Sequence, residues 1–599
     1  MIYHCEDHTC NYWDEGEKLP ERCPQCGRKL LRANEADMTG DDWTALGNTL
    51  WDAEASDKKR MVDCFRKAAY LGSAWGVCNL GICMEQGNGV EADPVQAFWL
   101  YQQAVEMGSL NAVCCLGVCY QYGIGTAPDA KQAAELYCKA AEYGSPRGQM
   151  LLARAFHDGI GVEADAAEAV YWVRAAAYQR YGEGMHRLGV CYEYGDGVEQ
   201  NWEHAVHWFR EAAESGVSAA MTDLGYCYEK GCGVEQSWEQ AFSWYRRGAE
   251  CGDPVSMCNL GLCYQMGYGV EQNWQEAIKW YEQGAQCGDL QSMHNLACCY
   301  EGGEGVEQNE DRAFYWYRRS AEGGNGSAMC NLGRCYKMGH GVEQNWQEAV
   351  KWYEQGAQCG NLQSMHNLAC CYEHGEGVEQ NMTEAIRWYT AAAEGGNADD
   401  MYELGWQYDH GEGVEQDMKK AICWYERAAE QNHPAAMNSL GECYAMGRGV
   451  PRDLETAMEW YRRAAELGEA MADYNMGWHL EQAGKLSEAY THYRKAADGN
   501  DDSAWWALGR FYENGVVVAQ DGKEARRCYE TGEKLGSVKC KMRLARCKLL
   551  GIGGRRAKKA GLDLCRQALE LAKESSEKED YGYEAEMNLL RRTIAENES

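Results

Sequence analysis

Small and apolar residues return along this chain with a period of 36. A Gly-Val pair stands at Gly161-Val162, Gly197-Val198, Gly233-Val234 and Gly269-Val270, and so on to Gly449-Val450. Gly125 and Gly89 extend the grid backwards, giving eleven consecutive units in register. Eight residues after each of these glycines comes an alanine, from Ala97 and Ala133 to Ala457. Eleven residues after the glycine comes a tryptophan in nine consecutive units, from Trp172 to Trp460. A Leu-Gly or Leu-Ala pair marks the other half of the unit, as at Leu80-Gly81, Leu260-Gly261, Leu296-Ala297 and Leu440-Gly441. Self-similarity at this spacing marks an array of short supersecondary units.

Each unit reads as two helices. In the first, Leu260, Gly261 and Tyr264 share one helical face, and the small residue admits a close neighbour. The turn Gly267-Tyr268-Gly269-Val270 uses glycine where positive φ is needed. The second helix opens at an N-cap residue (Asp93, Asn201, Ser237, Asn273, Asn345, Asp453), and Asn273 with Glu276 has the spacing of a capping box. Ala277, Trp280 and Tyr281 supply its buried stripe, and Gly288 ends it. The tryptophans are therefore predicted to be core residues, not a stacking platform.

The pattern resembles the SEL-one-like repeat, a relative of the tetratricopeptide repeat with a longer loop between its helices. The resemblance covers residues 40–571. It implies an all-α fold, a right-handed α/α superhelical solenoid. Leu-Gly equivalents from Leu46 to Leu544 number fifteen, one per helix pair. Spacing departs from the grid at both ends, and Gln482–Ala489 has a short turn of the tetratricopeptide kind. A last helix within 572–599 is expected to cap the array, since terminal repeats need a polar outer face. Residues 267–309 and 339–381 differ at only four of 43 positions, which a recent duplication explains.

Residues 1–33 form a separate module. Cys5, Cys10, Cys23 and Cys26 give C-x4-C-x12-C-x2-C, a spacing that suits one tetrahedral, structural Zn²⁺. So short a segment needs metal for most of its stability. It resembles a rubredoxin-like zinc ribbon, although its first knuckle has four intervening residues. That leaves His8 as an alternative to Cys10.

The remaining cysteines follow the repeat. Ten stand three residues after the Leu of the first helix (Cys83, Cys119, Cys191, Cys227, Cys263, Cys299, Cys335, Cys371, Cys443, Cys547), and Cys78, Cys114, Cys258 and Cys330 precede it by two. They read as small core residues. Disulfide stapling, found in secreted members of the resembled family, is the alternative. The start, Met1-Ile2-Tyr3-His4-Cys5, has no apolar stretch of a secretory signal, so the expected compartment is cytoplasmic and the thiols reduced. No stretch is apolar enough to span a membrane. His294 and Cys298, and their copies His366 and Cys370, stand at i, i+4 on one helix, an incomplete metal site.

Charge narrows the partner. With 92 acidic and 58 basic residues among 599 the net charge is -34, which repels nucleic-acid backbones. Segment 539–571 is the exception, with ten bases, Arg555, Arg556, Lys558 and Lys559 among them, against Asp563 and Glu570. It is read as a solvated capping face; binding of nucleic acid through it and the ribbon is an alternative function. Some relatives of the resembled family are described as penicillin-binding or β-lactamase-like, which makes a hydrolase a second alternative. Ser56/Lys59 and Ser575/Lys578 match S-x-x-K, but no S-D-N or K-T-G accompanies them. The sequence is therefore expected to encode a non-catalytic scaffold for a protein or peptide. In the tetratricopeptide fold the first helices line the concave face, and an asparagine before the Leu-Gly pair can reach a bound peptide backbone. The resemblance carries that role to Asn79, Asn259, Asn295, Asn331, Asn367 and Asn475, whose amides both donate and accept.

Overall fold

The computed structural model describes residues 2–5, 13–15, 30–33, 38–51, 55–578 and 584–598. Three short strands open the chain: β1 (Ile2–Cys5), β2 (Trp13–Glu15) and β3 (Leu30–Ala33). They form an antiparallel sheet of order β2-β1-β3. His8, Cys10, Cys23 and Cys26 lie outside the described residues, and of Cys5 only the backbone, at the end of β1, is described. Among the described residues all other elements are helices. From Gly40 onward they alternate as first and second members of fifteen pairs, with one further helix, Glu584–Glu598. The last pair ends in the helix Lys558–Lys578, which runs through residue 571 because no glycine or proline interrupts 562–578. The final helix is Glu584–Glu598.

Two compact units divide the chain, Met1–Gln308 and Asn309–Ser599. Inside each, the two helices of a pair pack along their whole length, and the reason is in the sequence. A Cβ placed on Gly261 would stand 2.6 Å from Cε1 of Tyr281, so the glycine is the seat of the tyrosine ring. The same seating recurs at Gly117 with Tyr137, and at Gly441 with Tyr461. Tyr101, Tyr137, Tyr245 and Tyr281 in the first unit, and Tyr353, Tyr425, Tyr461 and Tyr529 in the second, are all fully buried. Each such ring contributes about 1.5–3 kcal/mol by leaving water.

The tryptophans correct the expected core. Trp172, Trp244, Trp280 and Trp460 are only half-buried, while the residue after each belongs to the core. Tryptophan is too large to close over in so thin a layer, and arginines cover several rings instead: Arg247 over Trp244 at 4.2 Å, Arg427 over Trp424 at 4.3 Å and Arg463 over Trp460 at 4.5 Å.

N-caps form at the expected residues. Asn201 accepts from the His204 amide, Ser237 from Gln240 and Asn345 from Glu348. The capping box at Asn273 is only half made: Asn273 accepts from the Gln275 and Glu276 amides, but the Glu276 carboxylate turns to Lys279 Nζ at 3.1 Å. The repeat cysteines Cys83, Cys119, Cys191, Cys227, Cys263 and Cys443 are buried thiols, and burial pushes Cys83 and Cys191 up to about 11. No helix of the described residues is long and apolar enough to cross a membrane.

Candidate functional site

Burial singles out one face. On the first helix Pro254–Met266, Ser256, Met257, Cys258, Leu260, Gly261 and Cys263 are buried, whereas Val255, Leu262 and Met266 are exposed with Asn259 half-buried among them. Positions i, i+4, i+7 and i+11 form a solvent-facing stripe. Successive first helices approach one another, as do Leu110–Tyr122 and Pro146–Asp158 in the first unit and Gly326–Met338 and Leu362–His374 in the second. Contacts between successive second helices are sparser, so within a unit the first-helix stripes lie side by side.

Five of the six asparagines expected to meet a partner have side-chain bonds of their own, and Asn79 is buried. Asn79 Nδ2 donates to Asn48 Oδ1 at 2.8 Å, Asn295 to Cys258 Sγ at 3.6 Å and Asn367 to Cys330 Sγ at 3.3 Å. Asn475 Nδ2 donates to Asn438 Oδ1 at 3.0 Å and Glu442 Oε1 at 3.2 Å. Arg334 Nη2 reaches Asn331 Oδ1 within the same helix at 3.4 Å. Four of these asparagines reach across to the preceding first helix. The position therefore joins neighbouring repeats.

A concave site appears where one repeat breaks the pattern. Tyr101, Tyr137, Tyr245 and Tyr281 each donate a hydroxyl to the residue sixteen earlier: Glu85 at 2.6 Å, Gln121 at 2.7 Å, Glu229 at 2.8 Å and Gln265 at 2.7 Å. At the equivalent place in the helix Ala166–Tyr178 stands Val173, and the acceptor position is His157. With no ring there, a cleft of about 560 Å³ opens between the first helices Pro146–Asp158 and Gly182–Tyr194. Its floor is Ala153, Ala169, Val170 and Val173, and its rim carries Arg147, Arg154, Arg187, His157, Asp158 and Asp196.

The rim is a charge network. His157 Nδ1 lies 2.7 Å from Asp158 Oδ1 and its Nε2 3.3 Å from Asp196 Oδ2, so the ring bridges two carboxylates. Arg154 Nε stands 3.4 Å from Asp158 and Arg187 Nη2 3.6 Å from Asp196. The His157 hydrogen bond holds the Asp158 carboxyl below its ordinary range. Arg147 leans the other way, its Nη1 3.7 Å from Cys115 Sγ. Sequence reasoning missed this site, although the signal was present: Val173 follows Trp172 where the neighbouring units read Leu136-Tyr137 and Trp208-Phe209.

Other candidates come out differently. The expected metal pair is in contact, Cys298 Sγ 3.8 Å from His294 Nε2, but no group of three or more ligating side chains occurs among the described residues. Ser56 and Lys59 share the helix Ala55–Tyr70, and Ser575 and Lys578 the helix Lys558–Lys578. In the basic segment Arg543 grips Glu586 with Nε at 2.6 Å and Nη2 at 2.7 Å and reaches Glu513 at 3.3 Å. Arg546 also pairs with Glu513, and Arg556 Nη2 donates to Asn597 Oδ1 at 2.7 Å. Arg543 and Arg556 thus tie down the final helix, and Arg546 the helix Asp502–Asn514.

Comparison with known proteins agrees with the repeat. The Sel1 repeat family profile matches thirteen segments, from 76–109 and 112–145 through to 504–537. Among solved structures, the chain is similar to c5321, described as a protective antigen of uropathogenic Escherichia coli strains displaying an SLR fold. Identity is 32% over 75% of this chain and 97% of that one, with a TM-score of 0.52. A Sel1 repeat protein from Oxalobacter formigenes is 32% identical over 41% of this chain and 99% of its own, at a TM-score of 0.39. No curated protein matches. The thirteen matched segments cover most of the residues between Gly76 and Ser537, and the chain belongs to the Sel1 repeat family.

Proposed function

We propose that this chain is a non-catalytic scaffold that holds a protein or peptide segment against its first-helix face, with the cleft at Val173 as the anchor. Sel1 and tetratricopeptide-like solenoids typically serve as protein–protein interaction scaffolds and are generally not catalysts. The observation that carries the reading is the missing tyrosine. Everywhere else in the first unit an aromatic ring fills that position; here an apolar floor rimmed by three arginines is left for a bulky side chain from outside. An aromatic or long aliphatic residue would fill the floor, and an adjacent acid would meet Arg147. Such a buried anchor ringed by polar groups is how interfaces concentrate their energy.

Val173→Tyr tests this. The ring should be accepted, because Tyr389 is buried in the same unit as Ala369, the alanine that stands where most repeats have glycine. The substitution should leave helicity and melting unchanged or improved. Recovery of a partner by affinity capture from the native cell should fall by about tenfold or more. Identical recovery with a folded Val173→Tyr chain would move the binding surface elsewhere. Nucleic acid fits less well, since Arg543 and Arg546 are spent on Glu513 and Glu586. For residues 1–33 we propose a single structural Zn²⁺ held by Cys5, Cys10, Cys23 and Cys26.

A further inference from the structure

The duplicated segments give one chain two copies of the same His-Cys pair, and the second copy has acquired an acid. His366 and Cys370 lie on the helix Leu362–His374, and Asp400 on the first turn of the next first helix, Ala398–His410. His366 Nδ1 stands 2.8 Å from Asp400 Oδ1, and its Nε2 stands 3.6 Å from Cys370 Sγ. The Tyr389 hydroxyl lies 3.4 Å from the same sulfur and donates to Glu373 Oε2 at 2.6 Å. Asp400 has no exposed surface, and its Oδ2 has no hydrogen-bond partner among the described residues. A carboxylate buried at that cost is held in place by the imidazole it faces.

Thiol, imidazole and carboxylate thus stand in the order that activates a nucleophile, with the acid on Nδ1 and the sulfur on Nε2. We infer that Cys370 is an oxidation site, made nucleophilic by His366 and Asp400 and open to hydroperoxides. Cys370 is only half-buried, which suits a small electrophile. With the thiol proton carried on His366 Nε2, the sulfur attacks one peroxide oxygen. The S–O bond forms as the O–O bond breaks, and the proton passes from His366 to the leaving oxygen. The products are Cys370 sulfenic acid and water, or an alcohol when the oxidant is an organic hydroperoxide. Sulfur loses two electrons and the peroxide gains them.

Surroundings separate the two copies. Asp400 first, and Cys370 second, raise the His366 imidazole to about 10, which keeps both ring nitrogens protonated at neutral pH. Burial pushes His294 down instead. Glu403, raised by its own burial, Glu373 and Asp399 are the other acids around the site. The adjacent thiols Cys371 and Cys299 are both pushed by burial to about 12 and serve as inert references.

The test uses the full, reduced chain. Hydrogen peroxide is added below stoichiometry at pH 7, sulfenic acid is trapped with a 1,3-dicarbonyl probe, and each cysteine is quantified by mass spectrometry. The peptides of the two copies differ in mass at Asp289/Asn361 and Gly302/His374. Cys370 should label about tenfold faster than Cys298, with Cys371 and Cys299 silent. Asp400→Asn should bring Cys370 down to the rate of Cys298. Equal labelling of Cys370 and Cys298 in the unaltered chain overturns the inference without any variant. So does an unchanged Cys370 rate in Asp400→Asn that melts as the unaltered chain does.

Discussion

The asparagine before the Leu-Gly pair costs helix propensity, and its hydrogen bonds show what offsets that cost. Asn475 crosses to the preceding first helix with two bonds, to Asn438 and Glu442, whereas Asn259 is half-buried and makes no such bond among the described residues. Losing both bonds of Asn475 to alanine should destabilise the chain by about 1–2 kcal/mol in urea unfolding, and Asn259→Ala by less. If Asn475→Ala unfolds as the unaltered chain does but loses its partner, the position serves recognition and not repeat stacking. At this scale the sequence misleads where one residue type has two surroundings. His294 and His366 sit in nearly identical segments, yet one is pushed down by burial and the other up by Asp400, thirty-four residues further on.

Among elements, the 36-residue glycine turns out to be a contact between repeats. Gly125, Gly161 and Gly269 have φ of 70°, 71° and 68°, and a Cβ on them would stand 2.1, 1.9 and 2.2 Å from the carbonyl oxygens of Pro94, Ala130 and Trp238. Those carbonyls belong to the first turn of the preceding second helix. Both backbone conformation and space therefore demand glycine, which is why the grid never slips across eleven units. One later loop breaks the rule: Val517 occupies the same place at φ 65°. Its side chain is 48% exposed, because the preceding pair has the short turn at Gly484 in place of the long loop. Space tolerates the valine; the left-handed backbone does not favour it. Val517→Gly should raise stability by about 1 kcal/mol, after the extra entropy of glycine in the unfolded chain is subtracted. A lower urea midpoint for Val517→Gly would show that the side chain earns its strain through packing. Helices, caps and repeat number were legible because each follows from local spacing. The buried tyrosine was harder to see, since Trp and Tyr adjoin in seven of the nine tryptophan-bearing units and only packing decides which turns inward.

For the whole molecule, what could be read in advance and what could not divides along contact range. The array follows from a repeated local code, while the Val173 cleft is the absence of a repeated residue, and its depth depends on how far the neighbouring helices collapse into the space. Net charge behaves alike: a total of -34 says nothing of a rim where Arg154 meets Asp158, Arg187 meets Asp196 and Arg147 stands beside them. The N-terminal module rests on a different argument. Cys5 ends β1 opposite Leu30, and Cys26 precedes Leu30 by four residues. Trp13, three residues after Cys10, pairs with His4. The strands that pair with β1 thus follow Cys10 by three residues and Cys26 by four, and the proposed tetrahedral site rests on the C-x4-C-x12-C-x2-C spacing. Elemental analysis of the purified full chain should find about one Zn per chain. Cys10→Ser and Cys23→Ser should each lose it while the helical signal holds, because the core clusters of the repeats are built from residues 38 onward. His8→Ala should keep the metal. Zinc retained by Cys10→Ser and lost by His8→Ala would make His8 the fourth ligand, and zinc retained by both Cys10→Ser and Cys23→Ser would place the metal outside residues 1–33.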